Sequence, residues 1–379
     1  MRRSFAAMPK ASPPAPLPSG RVASVDALRG FDMFWITGGE EVVHSIYKVF
    51  PNPTTAVLDG QFEHVRWAGF HFYDLIFPLF LFLVGVVLPF SLTRRLEAAA
   101  NRSQLYRHIV TRLLLLFLLG LVYNGLLDLN VHTLRISGVL QRIALCYFFA
   151  SVVVMNTRVR GLAIVTGGIL VAYWLILALV PVPGVGAGVL TPEGNLAGYV
   201  DRLLLPRPFC CYKFGDNEGI LSTLPAVATT LLGVLAGHWL RSNQTPQRKA
   251  LGLTAAGLAC LLTGFVWGHW FPIIKNLWTS TYVLVAGGWS LLLLAAFYAV
   301  IDVWGFRRWS FFFTIIGMNA ITIYLAWRLF DFAAIASVFT HGLISYLGSF
   351  QPLFEATSVA AAAWLFLWFL YRQRIFLKV

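Results

Sequence analysis

Long apolar runs, each closed off by a polar or basic segment, recur along this chain near residues 25–47, 72–92, 109–127, 137–155, 161–182, 221–240, 250–270, 279–302, 311–330 and 355–371. Each is close to the roughly 17–25 residues that a helix needs to cross the hydrocarbon core of a bilayer. The pattern predicts an all-α fold, a polytopic membrane helix bundle with about ten transmembrane helices. Composition agrees. Hydrophobic residues make up 58% of the 379 positions and charged residues 12%, where a soluble domain carries roughly 25% charged.

The formal net charge of +13 raises the question of nucleic acid, and its distribution answers it. Arg2, Arg3, Lys10 and Arg21 precede the first run, and Arg94, Arg95, Arg102, Arg107 and Arg112 surround the gap between the second and third. Arg158, Arg160, Arg241, Arg248, Lys249, Arg307 and Arg308 fill later even-to-odd connections, and Arg372, Arg374 and Lys378 close the chain. If the helices alternate, all of these fall on one side, so the positive-inside rule predicts that both termini are cytoplasmic. The charge orients the chain in a lipid bilayer, and no nucleic-acid partner is expected. Residues 1–20, rich in Pro and Ala, read as a disordered cytoplasmic segment ahead of a membrane domain over 21–379. No signal-peptide pattern accompanies the first arginines, so the first span should be retained.

The polar residues that interrupt this scheme carry the candidate chemistry, because polar groups are costly where lipid replaces water. Phe62-Glu-His-Val-Arg-Trp-Ala-Gly-Phe-His-Phe-Tyr-Asp74 puts two histidines, two carboxylates and an arginine at the mouth of an apolar helix. His64 could be a solvated interfacial imidazole, or a base or acyl carrier with Glu63 and Asp74 near enough in sequence to orient it. His71 reads as an interface anchor, and Asp74 as a helix cap or as the partner of His64. In the first run Asp26 and Arg29 stand at i,i+3, either as glue between helices or as a grip for phosphate from the cytoplasmic side. Further polar islands hold Arg135, Gln141 and Arg142, then Lys275 and Asn276, then Asn319. Each alone is more often packing or capping; together they describe a polar cavity facing outward. Two long connections, about 48–71 and 183–220, lie on the same side. Of four cysteines, Cys146 and Cys260 sit in apolar runs, and Cys210 and Cys211 are adjacent, where a bridge forms only with strain. No Cys/His spacing resembles a zinc site, so no protein-held metal is expected.

Ser24-Val-Asp-Ala-Leu-Arg-Gly30, His64-Val-Arg-Trp-Ala-Gly69 and Asp74-Leu-Ile-Phe-Pro-Leu-Phe-Leu-Phe-Leu-Val-Gly85 resemble the heparan-α-glucosaminide N-acetyltransferase family and its bacterial relatives. The resemblance continues through Arg135–Arg142, Asp216-Asn-Glu-Gly-Ile-Leu-Ser-Thr223, Lys275-Asn-Leu-Trp278 and Gly317-Met-Asn319, in family order. It implies transfer of an acetyl group from cytoplasmic acetyl-CoA, a co-substrate, to an amino sugar or envelope saccharide across the membrane. The family's active-site histidine matches His64, as general base or transient acetyl carrier, with Asp74 and Glu63 as its catalytic partners. Arg29 and Asp26 would then serve the CoA side, and Arg135, Gln141, Arg142, Lys275, Asn276 and Asn319 the acceptor side. One departure stands out: animal relatives carry an asparagine shortly before the histidine, and Thr37-Gly-Gly-Glu-Glu41 occupies that region here. The implied setting is a bacterial inner membrane, with a homodimer as candidate assembly. The alternative function is a membrane transporter of a small sugar-like or proton-coupled solute.

Overall fold

The computed structural model describes residues 22–98, 102–130 and 132–377; the expected disordered segment 1–20 lies outside them. The first apolar run is not one straight helix. Helix α1 (Ala23–Phe34) passes through a π-helical turn, Trp35–Gly39, into α2 (Glu40–Val49). The ladder breaks at Thr37 and Gly38, and Gly38 takes φ +116°, a conformation open to glycine at little steric cost. A short α3 (Pro53–Gln61) follows, capped by the Asn52 side chain, and the His44 ring holds Asp59 at 2.7 Å to tie α2 to α3. The opening cluster then enters a 3-10 turn, Phe72–Leu75, and α4 (Ile76–Ala98).

The remaining spans are α5 (Arg102–Tyr123), α6 (Val139–Asn156) and α7 (Val159–Leu179). After them come a surface helix α8 (Leu196–Leu204) and a two-stranded ribbon, β1 (Cys211–Tyr212) with β2 (Gly215–Asp216). Helices α9 (Thr223–Arg241), α10 (Pro246–Trp267) and α11 (Ser280–Tyr298) complete the central bundle. The chain closes with α12 (Ser310–Met318), α13 (Ala320–Leu329), α14 (Phe332–Ile344) and α15 (Gln351–Arg372).

Among the described residues, 8 helices are long and apolar enough to cross a membrane, or 9 if α12 and α13, bent by 71° at Asn319, count as one span. With the kinked α1–α2 run, every predicted apolar stretch has a helical counterpart. Helix α14 was not foreseen: it is a short apolar piece packed on α15.

Helices α4, α9 and α11 form the inner layer, while α5, α7, α10 and α15 turn most of their surface outward, as Leu114, Ile164, Leu262 and Phe369 do. Lipid tails are as apolar as leucine, so helices associate in a bilayer largely by close packing at small residues. The α4–α9 contact shows this: a Cβ at Gly233 would run into the Phe82 carbonyl, and one at Gly85 into that of Thr230. The α1–α12 pair uses the same device, with Gly30 against the Phe313 carbonyl and Gly317 against that of Asp26.

Candidate active site

Three loop systems converge over the start of α4. The segment after α3 brings His64; its backbone pairs with the segment after α10 through an isolated bridge between Ala68 and Ile274, with the Gly69 amide donating to the Ile273 carbonyl at 2.9 Å. That pairing sets Lys275 beside His64. The long loop before α9 closes the third side. It is pinned by the Trp67 indole N–H to the Leu190 carbonyl, 2.8 Å, and by the contact of Trp67 with the Tyr212 ring.

Asp74 is the hub. Fully buried at the first turn of the α4 span, its Oδ2 accepts from the His71 backbone amide at 3.0 Å, which is the capping role. Its Oδ1 accepts from His64 Nδ1 at 2.9 Å and faces Lys275 Nζ at 3.2 Å, which is the orienting role. Each oxygen thus takes a different partner, the backbone amide of His71 on Oδ2 and the His64 ring on Oδ1. Tyr282 of α11 donates to the Asp74 carbonyl at 2.7 Å and fixes the turn from below. With Nδ1–H committed to Asp74, Nε2 of His64 carries the lone pair, and the His64 side chain is 51% exposed. Lys275 Nζ stands 2.8 Å from Nδ1 and 3.1 Å from Nε2. Burial lowers the Lys275 pKa, and the Asp74 carboxylate only partly offsets that loss of hydration. The Tyr73 ring lies over His64 at 4.9 Å between centroids, with its hydroxyl donating to Glu40 of α2.

These groups open onto a cavity of about 210 Å³ that includes Glu218, Asn217, Cys211 and Tyr324. A second cavity, about 330 Å³, sits at the other end of α4, beside Ser91, Arg29 and Arg112. The Arg29 guanidinium stays near Asp26, 3.5 Å away, and Arg112 lies over the Tyr147 ring with a buried Nε that has no partner among the described residues. Phe80, Leu140, Ile143, Ala320 and Ile321 line both cavities, so a single layer of apolar side chains divides them. Ala320 and Ile321 directly follow the α12–α13 bend.

The other residues singled out from sequence are placed as follows. The Glu63 side chain is exposed, and its backbone carbonyl rather than its carboxylate receives a bond, from His71 Nδ1 at 2.8 Å. Arg135 grips Asp216 through Nε at 2.8 Å and also bonds Glu218; burial works against its charge, but these carboxylates outweigh it and hold its pKa above the ordinary value. Arg142 is buried over Trp278 and donates to the Gly219 carbonyl and to Ser222, tying the long loop to α6. Gln141 packs against Gly120, Asn276 sits in the turn after Lys275, and Asn319 is buried at the α12–α13 bend. The structure therefore gathers His64, Asp74 and Lys275 at one point and gives Arg135 and Arg142 to loop anchoring. The sequence reading gave no role to Tyr73, Glu40 or Glu218. Their one signal was position: Tyr73 precedes Asp74, and Glu218 lies in the polar run Asp216-Asn-Glu-Gly. Cys210 and Cys211 are joined by a disulfide at the cavity rim.

The structure is thus a helical membrane bundle with a histidine–carboxylate–lysine centre in one pocket and a second, arginine-bearing cavity behind it. Residues 21–270 match the family described as heparan-alpha-glucosaminide N-acetyltransferase, catalytic, and the chain belongs to that family. It is 28% identical over 380 aligned residues to the human heparan-alpha-glucosaminide N-acetyltransferase, covering 84% of this chain and 56% of the human protein. The mouse protein of the same name is 29% identical over 334 residues, covering 71% of this chain and 49% of its own length. The chain thus spans about half the length of the curated relatives it matches.

Proposed function

We propose that the chain is a transmembrane acetyltransferase that moves an acetyl group from acetyl-CoA on the cytoplasmic side to the amine of an amino sugar or envelope saccharide on the other. The observation that carries this reading is the His64–Asp74 pair, opening on one cavity and divided from the arginine-bearing cavity by one apolar layer. Arg29 and Arg112 would meet the phosphates of CoA, since guanidinium groups make strong charge-assisted bonds to phosphate oxygens. Basic loops cluster at that end of the helices, which supports its assignment to the cytoplasm. Displacing the apolar layer would let the thioester reach His64. There Nε2 either accepts the proton of the attacking amine or carries the acetyl group briefly, and Asp74 holds the ring in the tautomer that leaves Nε2 free. Glu218 and Asn217 line the same cavity and would meet the hydroxyls and amine of the acceptor.

The test is CoA release from purified protein given acetyl-CoA and glucosamine-like acceptors, with His64→Ala alongside. Acceptor-dependent release by the native chain should vanish in His64→Ala while detergent melting stays near native, because His64 is half exposed. Release that persists in the variant would remove His64 from the reaction. Uptake of unmodified solute without CoA release would make the protein a transporter.

A further inference from the structure

Lys275 is itself an amine in an acetyl-transfer pocket. Its Nζ lies 3.1 Å from His64 Nε2 and 2.8 Å from Nδ1, and its side chain is only 13% exposed. Reacting atoms held about 3–3.5 Å apart gain large effective molarities. An acetyl group delivered at His64 therefore arrives beside a tethered primary amine before any saccharide has entered. We propose that Lys275 Nζ is an internal acetyl acceptor: when no saccharide amine occupies the pocket, the delivered acetyl group is captured as Nε-acetyl-lysine, and the enzyme silences itself.

The inference rests on the acetyltransferase reading above. The step balances. Lys275–NH3+ gives one proton to Asp74, 3.2 Å from Nζ, and the free amine attacks the acetyl carbonyl. The new C–N bond forms as the bond from that carbon to the thioester sulfur, or to the His64 nitrogen, breaks. The leaving atom takes the electron pair, and the second amine proton neutralises it. The sum is acetyl-CoA and Lys275–NH3+ giving acetyl-Lys275, CoA thiol and one proton. The product amide carries no charge, so Asp74 loses its cationic partner and the acceptor pocket is narrowed by the added acetyl group.

The same geometry says what restrains the reaction. A protonated lysine is no nucleophile, and Asp74, Glu218 and Glu40 surround Nζ with carboxylates that favour the proton, while His64 stands at its other side. Burial pulls the other way. Capture should thus be slow at neutral pH, faster as pH rises, and suppressed by a saturating acceptor that competes for the acetyl group.

The experiment uses the full native chain incubated with acetyl-CoA and no saccharide, followed by peptide mass spectrometry and a turnover assay on the same samples with a glucosamine-like acceptor. The expected result is one acetyl group on Lys275, well ahead of the exposed Lys48 and Lys213, rising with pH. Turnover should fall in step, and saturating acceptor should slow both changes. A chain that turns over acceptor yet leaves Lys275 no more acetylated than Lys48 and Lys213 overturns the proposal alone. Absence of both turnover and modification overturns the acetyltransferase reading with it. Acetylation of Lys275 without loss of turnover would also refute the self-silencing role.

Discussion

Replacing Asp74 by Asn separates the two jobs that one carboxylate performs. The Asn oxygen can still accept the His71 amide, whose bond to Oδ2 measures 3.0 Å, so the cap on the first turn of the α4 span survives. The atom replacing Oδ1 is then an amide N–H2 facing His64 Nδ1 at 2.9 Å and Lys275 Nζ at 3.2 Å. It is a donor where both neighbours require an acceptor. His64 must flip to the tautomer with its proton on Nε2, or turn away. In a serine protease triad, the same exchange of aspartate for asparagine costs about 10⁴ in kcat through lost control of the tautomer. General-base catalysis as a whole contributes about 10²–10⁴. Because His64 is half exposed and can exchange protons with water, the lower part of that range applies: kcat should fall about 10²–10³-fold, or about 3–4 kcal/mol of barrier. Breaking two charge-assisted bonds should also lower stability by about 3 kcal/mol. The assay is steady-state CoA release per folded molecule, with detergent melting alongside. A purely structural role would change folded fraction but not kcat per folded molecule. An Asp74→Asn enzyme with kcat within about threefold of native would refute the reasoning.

Two further outcomes follow from other parts of the molecule. Arg29→Ala should raise the KM for acetyl-CoA about tenfold, one lost charge-assisted contact, with little change in the KM for acceptor; a KM for acetyl-CoA left at its native value would take Arg29 out of the CoA site. Gly317→Leu should prevent stable assembly, because α12 meets the Asp26 carbonyl of α1 at Gly317 with no room for a Cβ. Monodisperse protein with native melting would show that the helices can separate there without cost.

The membrane architecture was legible because lipid demands long apolar helices, and little else in a sequence imitates them. Each of the ten apolar runs has a helical counterpart, but the breaks inside two of them were not foreseen. At Asn319 hydropathy stays high while the helix bends, and the buried amide is the local hint; at Thr37–Gly38 the bend comes at a glycine pair just where the run turns to Glu40 and Glu41. His64 and Asp74 could be paired in advance because ten residues of sequence separate them. Lys275 reads in the sequence as a residue of the acceptor side, with no sign of its neighbour. That neighbour, His64, lies 211 residues away, brought there by a backbone bridge that no periodicity announces. Arg135 and Arg142 read in the sequence as ligand contacts at a helix mouth; in the structure they bond Asp216, Glu218 and Ser222 of the same chain, partners that no local pattern announces.

The apolar layer of Phe80, Leu140, Ile143, Ala320 and Ile321 has an electrical meaning as well as a steric one. Where solvent-accessible hollows approach from opposite faces, most of the membrane potential drops across whatever separates them. Moving one elementary charge through that drop involves about 2.3 kcal/mol per 100 mV. In the transfer proposed above, an acetyl group would cross it neutral. Its passage would draw nothing from the membrane potential and return nothing to it, so the rate of such transfer should be indifferent to voltage. Ions and protons meet a thin but dry dielectric in the same place. With the two cavities on opposite faces, as proposed, five hydrocarbon side chains would insulate a gradient that the rest of the bilayer guards with its full thickness.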